Sequence, residues 1–85
     1  MILDLVLNYY WYDEIESGRK TIEYRAMTGY WKDRIWEKRD KITHVRFRKG
    51  YTKTCLTKEV LKIQIGSCPY NNFTDDSYYN IYWKE

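Results

Sequence analysis

Four stretches of this chain alternate apolar and polar residues with period two, which commits it to a fold built on half-buried strands. Residues 21–27 set Ile22 and Tyr24 against Thr21, Glu23 and Arg25. Residues 42–48 set Thr43, Val45 and Phe47 against His44, Arg46 and Arg48. Residues 56–65 set Leu61, Ile63 and Ile65 against Val60, Lys62 and Gln64, and residues 78–83 carry Tyr79, Ile81 and Trp83 on one side. Ahead of these, the short aliphatic run of residues 2–7 reads as a buried strand. Two short helices are expected early in the chain. Residues 9–17 place Trp11 and Ile15 at i, i+4 and Tyr9 and Tyr12 at i, i+3, with Gly18 as the exit. Residues 29–36 carry Tyr30, Trp31, Ile35 and Trp36. The single proline, Pro69, lies in a stretch of loop composition, residues 66–72.

The expected product is an α+β domain of about five strands with two short helices in the N-terminal half. At 85 residues there is room for one core only, so residues 1–85 read as a single domain. Curling the sheet into a partly closed barrel is the arrangement that leaves the fewest bare strand edges. Ten Tyr, four Trp and two Phe make the chain 19% aromatic. Such rings fill a small core efficiently, at up to ~250 Å² each, and they also stack on flat ligands such as bases. Both readings stand at this point.

No apolar run approaches the roughly 18 residues of a membrane-crossing helix. The first residues, Met1-Ile2-Leu3-Asp4, lack the basic stretch and apolar run of a signal peptide. Cys55 and Cys68 are too few for a disulfide framework and too far apart for a CxxC site. A soluble, cytoplasmic protein without membrane association is expected. His44 is the sole histidine and has no Cys or His partner at ligand spacing, so no metal site is expected. No P-loop, dinucleotide glycine pattern or Ser-His-Asp order is present, and no cofactor is expected.

The net charge of +3 hides an uneven distribution. Residues 1–18 carry four acids and no Lys or Arg. Residues 19–62 carry 14 basic residues against five acidic ones, and residues 63–85 return to a slight acidic excess. A basic middle suits a polyanion or a phosphate-bearing ligand. Residues 32–41 alternate in sign and read as a solvated surface. Residues 46–53 hold Arg46, Arg48, Lys49 and Lys53 with no acid among them, and Tyr51 lies between the last two. There a ring could stack on a base while the cations meet phosphate, or the ring could pack over the end of the sheet.

The most informative stretch is Gly18-Arg19-Lys20-Thr21-Ile22-Glu23-Tyr24-Arg25. It is a helix exit, a lysine at the mouth of a strand, then a carboxylate and an arginine on one strand face. This stretch resembles the signature of the ASCH family, G-x-K-x-x-E-x-R, whose fixed positions are met by Gly18, Lys20, Glu23 and Arg25. The aromatic helix before it, Trp31 and Arg34 after it, and Val45-Arg46-Phe47-Arg48-Lys49-Gly50-Tyr51 leading to a glycine turn extend the likeness over roughly residues 3–65.

The resemblance implies a small PUA-like β-barrel with a cleft beside the first helix, into which Lys20, Glu23 and Arg25 project. It implies a binding module for RNA or a nucleotide-like ligand, with Lys20, Thr21, Glu23 and Arg25 in the cleft. Arg46, Arg48, Lys49, Tyr51 and Lys53 would form an adjoining basic surface. Two alternatives stand beside it. One is a small metal-independent hydrolase of a modified nucleoside or RNA, N4-acetylcytidine amidohydrolase-like or ribonuclease-like, with Lys20 and Glu23 handling protons. The amidohydrolase branch has a threonine nucleophile three residues after the lysine, where this chain has Glu23. The other is a phage-encoded protein-interaction or ligand-sequestering module.

Overall fold

The computed structural model describes residues 1–85. In chain order it contains β1 (Ile2–Leu7), α1 (Tyr9–Glu16), β2 (Ile22–Ala26), α2 (Gly29–Trp31), β3 (His44–Lys49), β4 (Cys55–Gly66) and β5 (Tyr78–Trp83), and α2 runs on into a π-helical turn, Lys32–Trp36. The fold is α+β, and no helix is long and apolar enough to cross a membrane. The five strands form one mixed sheet in the order β1-β3-β4-β5-β2, with β1 parallel to β3 and every other pair antiparallel.

One hydrophobic cluster holds the sheet to the helices. It joins Leu3, Leu5 and Leu7 of β1 and Val45 and Phe47 of β3 to Tyr79, Ile81 and Trp83 of β5, under Tyr12 and Ile15 of α1 and Ile35. The period-two reading holds in β3, with Val45 and Phe47 inward, and in β5, with Tyr79, Ile81 and Trp83 in the core. The aliphatic run of β1, expected as a buried strand, is buried on one face only, and Ile2 and Val6 are exposed on the other.

β4 departs from the expected alternation. Its first half pairs with β3 and its second half with β5, and a bulge between Val60 and Lys62 marks the change of partner. The extra residue is Leu61, which the bulge turns out to 60% exposure, while Val60 and Ile63 both pack on the core. A bulge bends and twists its strand, so β4 can serve two halves of a curled sheet. Leu61→Ala is therefore expected to change stability by less than about 0.5 kcal/mol, whereas Ile63→Ala costs about 2 kcal/mol. Urea unfolding measures both. Equal costs would mean that the alternation runs unbroken through the strand.

The expected barrel does not close. The terminal strands of the sheet, β1 and β2, share no ladder. A side chain bridges them instead, with the Arg25 guanidinium donating to the Val6 carbonyl at 3.3 Å. The space a closing ladder would occupy is a cleft lined by both strands.

Candidate functional site

α1 begins at Asn8, whose Oδ1 accepts the Trp11 N–H at 2.9 Å as an N-cap. Eight residues are marginal as an isolated helix, so packing of Tyr12 and Ile15 holds it in place. At its end Gly18 takes φ +84°, a left-handed turn that glycine enters without a Cβ penalty. The chain folds back there, and the Lys20 backbone N–H donates to the Glu14 carbonyl at 3.0 Å. That return aims the Lys20 side chain under the helix.

Lys20 and Glu23 are almost wholly buried, at 4% and 3% exposure. The Lys20 ammonium donates to Glu23 Oε1 at 2.6 Å. Arg25 closes on the other carboxylate oxygen, donating from Nε at 3.0 Å and from the terminal nitrogen at 2.8 Å to Oε2. One carboxylate thus serves two cations, and the triad keeps a net charge of +1. The Lys20 nitrogen lies 4.3 Å from the Trp11 ring centroid and 5.7 Å from that of Tyr70, while the Arg25 guanidinium lies 5.0 Å from Trp31. Aromatic faces stabilise desolvated cations by about 2 kcal/mol or more, which offsets part of their burial.

The strand faces follow the expected parity, but their roles are exchanged. Glu23 and Arg25 lie opposite Ile81 and Tyr79 in register, on the side of the main core. Tyr24 lies opposite Asn80 on the outer side and joins a separate aromatic group, edge-on to Tyr70 and Phe73. The segment between β4 and β5 covers that side. It is tied at its start by Asn80 Nδ2 donating to the Ser67 carbonyl at 3.2 Å, and at its end by the Asp75 N–H donating to the Tyr78 hydroxyl at 2.8 Å. Burial under this segment pushes the Tyr24 phenol up to about 12 and raises that of Tyr70.

Together these elements line an open cleft of about 440 Å³, the size that holds a small organic ligand. Lys20, Glu23 and Arg25 line it beside Trp11, with Tyr24, Phe73 and Tyr78 supplying aromatic wall and Asn8, Asn72, Thr74 and Asp75 supplying polar groups. The segment's aromatic contribution was not legible in the sequence, where residues 66–72 read only as a loop, while Asp75 and Asp76 lie in an exposed bend. The available signal was two aromatics, Tyr70 and Phe73, inside a stretch of loop composition, since a surface loop has little reason to hide rings.

The other candidates sit elsewhere. Thr21 is exposed and does not line the cleft. Arg46 and Arg48 converge on Asp4 of β1 at 2.7 and 3.1 Å, and the hydrogen bond from Arg46 holds the Asp4 carboxyl below its usual range. Lys49 pairs with Asp13 at 3.1 Å, and that bond raises its ammonium. Two acids distant in sequence thus pair with three of the four cations between residues 46 and 53. Lys53 remains without an ion pair at the β3–β4 turn, beside Tyr51, which is 98% exposed. None of these residues lines the cleft.

Compared with family models, curated proteins and solved structures, the chain matches none.

Proposed function

We propose that this chain is an ASCH-type, PUA-like binding module for RNA or a nucleotide-like ligand, which takes one nucleotide unit into the cleft. The observation that carries the reading is the buried triad of Lys20, Glu23 and Arg25, net positive, set in an aromatic-walled space of about 440 Å³. An ammonium has three N–H donors, and one of Lys20's is used on Glu23. The remaining donors and the excess charge suit an oxyanion, the rings suit a base, and the volume suits one nucleotide. The G-x-K-x-x-E-x-R resemblance supports the same residues. Hydrolysis is the weaker reading, because the threonine position of the amidohydrolase branch holds Glu23, whose two carboxylate oxygens are taken by Lys20 and Arg25.

Titration calorimetry with nucleoside monophosphates and short single-stranded RNA tests the proposal. Lys20→Ala is expected to weaken binding at least tenfold, since a hydrogen bond to a charged group is worth about 1.5–3 kcal/mol. With one phosphate held, log K should fall with log salt at a slope of about −0.7. A slope near −3 would extend the ligand along the surface of Lys53 and Tyr51. Binding unchanged in Lys20→Ala would remove the triad from the function. Turnover of an N4-acylated nucleoside or of RNA, lost in the same variant, would establish the hydrolase in place of the binding module.

A further inference from the structure

The cleft has two electrically different ends. Glu23 pairs in register with Ile81, and Ala26 pairs with Tyr78. Lys20 is held at the Glu23 end by its 2.6 Å bond. Asp75 enters the cleft from the exposed bend ahead of β5, where its backbone N–H is fixed on the hydroxyl of the Tyr78 side chain. Both residues line the same space. Unlike Asp4, Asp13 and Glu23, Asp75 makes no ion pair.

We infer that the cleft is directional, with the oxyanion of a nucleotide at the Lys20 and Arg25 end and the Asp75 carboxylate accepting from an amino group on the base at the other. A carboxylate is acceptor-only. It gains a hydrogen bond from the exocyclic amine of cytosine or adenine. It meets a second acceptor, and repulsion, in the keto oxygen of uracil or hypoxanthine. Discrimination between such partners comes as much from the unfavourable pairing as from the favourable one. Asp75 also repels phosphate, which keeps the ligand from binding in reverse. This inference rests on the nucleotide reading above and narrows it to bases that carry an amine.

Calorimetry on the whole chain with two matched pairs tests it: cytidine against uridine monophosphate, and adenosine against inosine monophosphate. The amino member of each pair is expected to bind about tenfold more tightly. In Asp75→Ala the gap should close to about twofold, the amino ligand weakening while the keto ligand gains. Opposite movements of this kind would not come from a loosened loop, which would weaken both. Equal binding of each pair to the unsubstituted protein overturns the directional reading alone, as does an equal loss in Asp75→Ala. If no monophosphate binds, the nucleotide reading falls and this inference falls with it.

Discussion

Glu23→Ala is expected to lower the unfolding free energy by about 3–5 kcal/mol, because it strands the buried Lys20 ammonium without its partner. Glu23 Oε1 takes the lysine and Oε2 takes two donors of Arg25, so one substitution leaves two cations facing each other in little water. For a chain of this size the whole stability is about 4–13 kcal/mol, and such a loss approaches its lower end. Arg25 retains Val6 and Trp31 as partners and partial access to solvent. Lys20 retains only aromatic faces.

The double variant Lys20→Met with Glu23→Leu separates stability from function. Replacing a buried ion pair by apolar groups of similar volume is often neutral or stabilising. The double variant should therefore unfold close to the unsubstituted protein in urea while losing ligand binding. Recovery of stability without recovery of binding means that the pair is kept for its chemistry. If the double variant is as unstable as Glu23→Ala, the pair is a structural requirement of this fold, and its place in the cleft says less about a ligand.

The second large effect lies in the core. Phe47→Ala is expected to cost about 3–5 kcal/mol. Phe47 is fully buried and meets Trp83 edge-on, with ring centroids 5.0 Å apart. This contact joins β3 to β5 across β4, where the bulge lets the sheet turn. Losing it opens a cavity where the two halves of the sheet pack against each other. A cost below about 1 kcal/mol in urea unfolding would mean that the neighbouring side chains collapse into the space, and that the corner is far softer than its packing density implies.

The sequence by itself determined the strands and the first helix. Val45 and Phe47, and Tyr79, Ile81 and Trp83, could face one core only if their segments were extended, because side chains on a strand alternate strictly. Gly18 was legible as a helix exit because few other residues accept a positive φ there. The motif residues were legible as a group for the same local reason: a lysine at the strand mouth and Glu23 and Arg25 two apart must share a side.

Only the tertiary structure decided which side that was. Alternation sorts residues into two faces and does not say which face meets the core. Here the charged face of β2 points inward and the apolar face lies under the segment between β4 and β5. The bulge at Leu61 escaped the pattern because one inserted residue reverses parity without changing composition. Pairing of Arg46 and Arg48 with Asp4 depends on β1 lying beside β3, more than forty positions away in sequence. The same is true of Asp75, which reaches the cleft because β5 and β2 are neighbours in the sheet although α2, β3 and β4 separate them in the chain. Local chemistry sets the conformation of each segment, while charge pairing and enclosure depend on which segments the packing brings together.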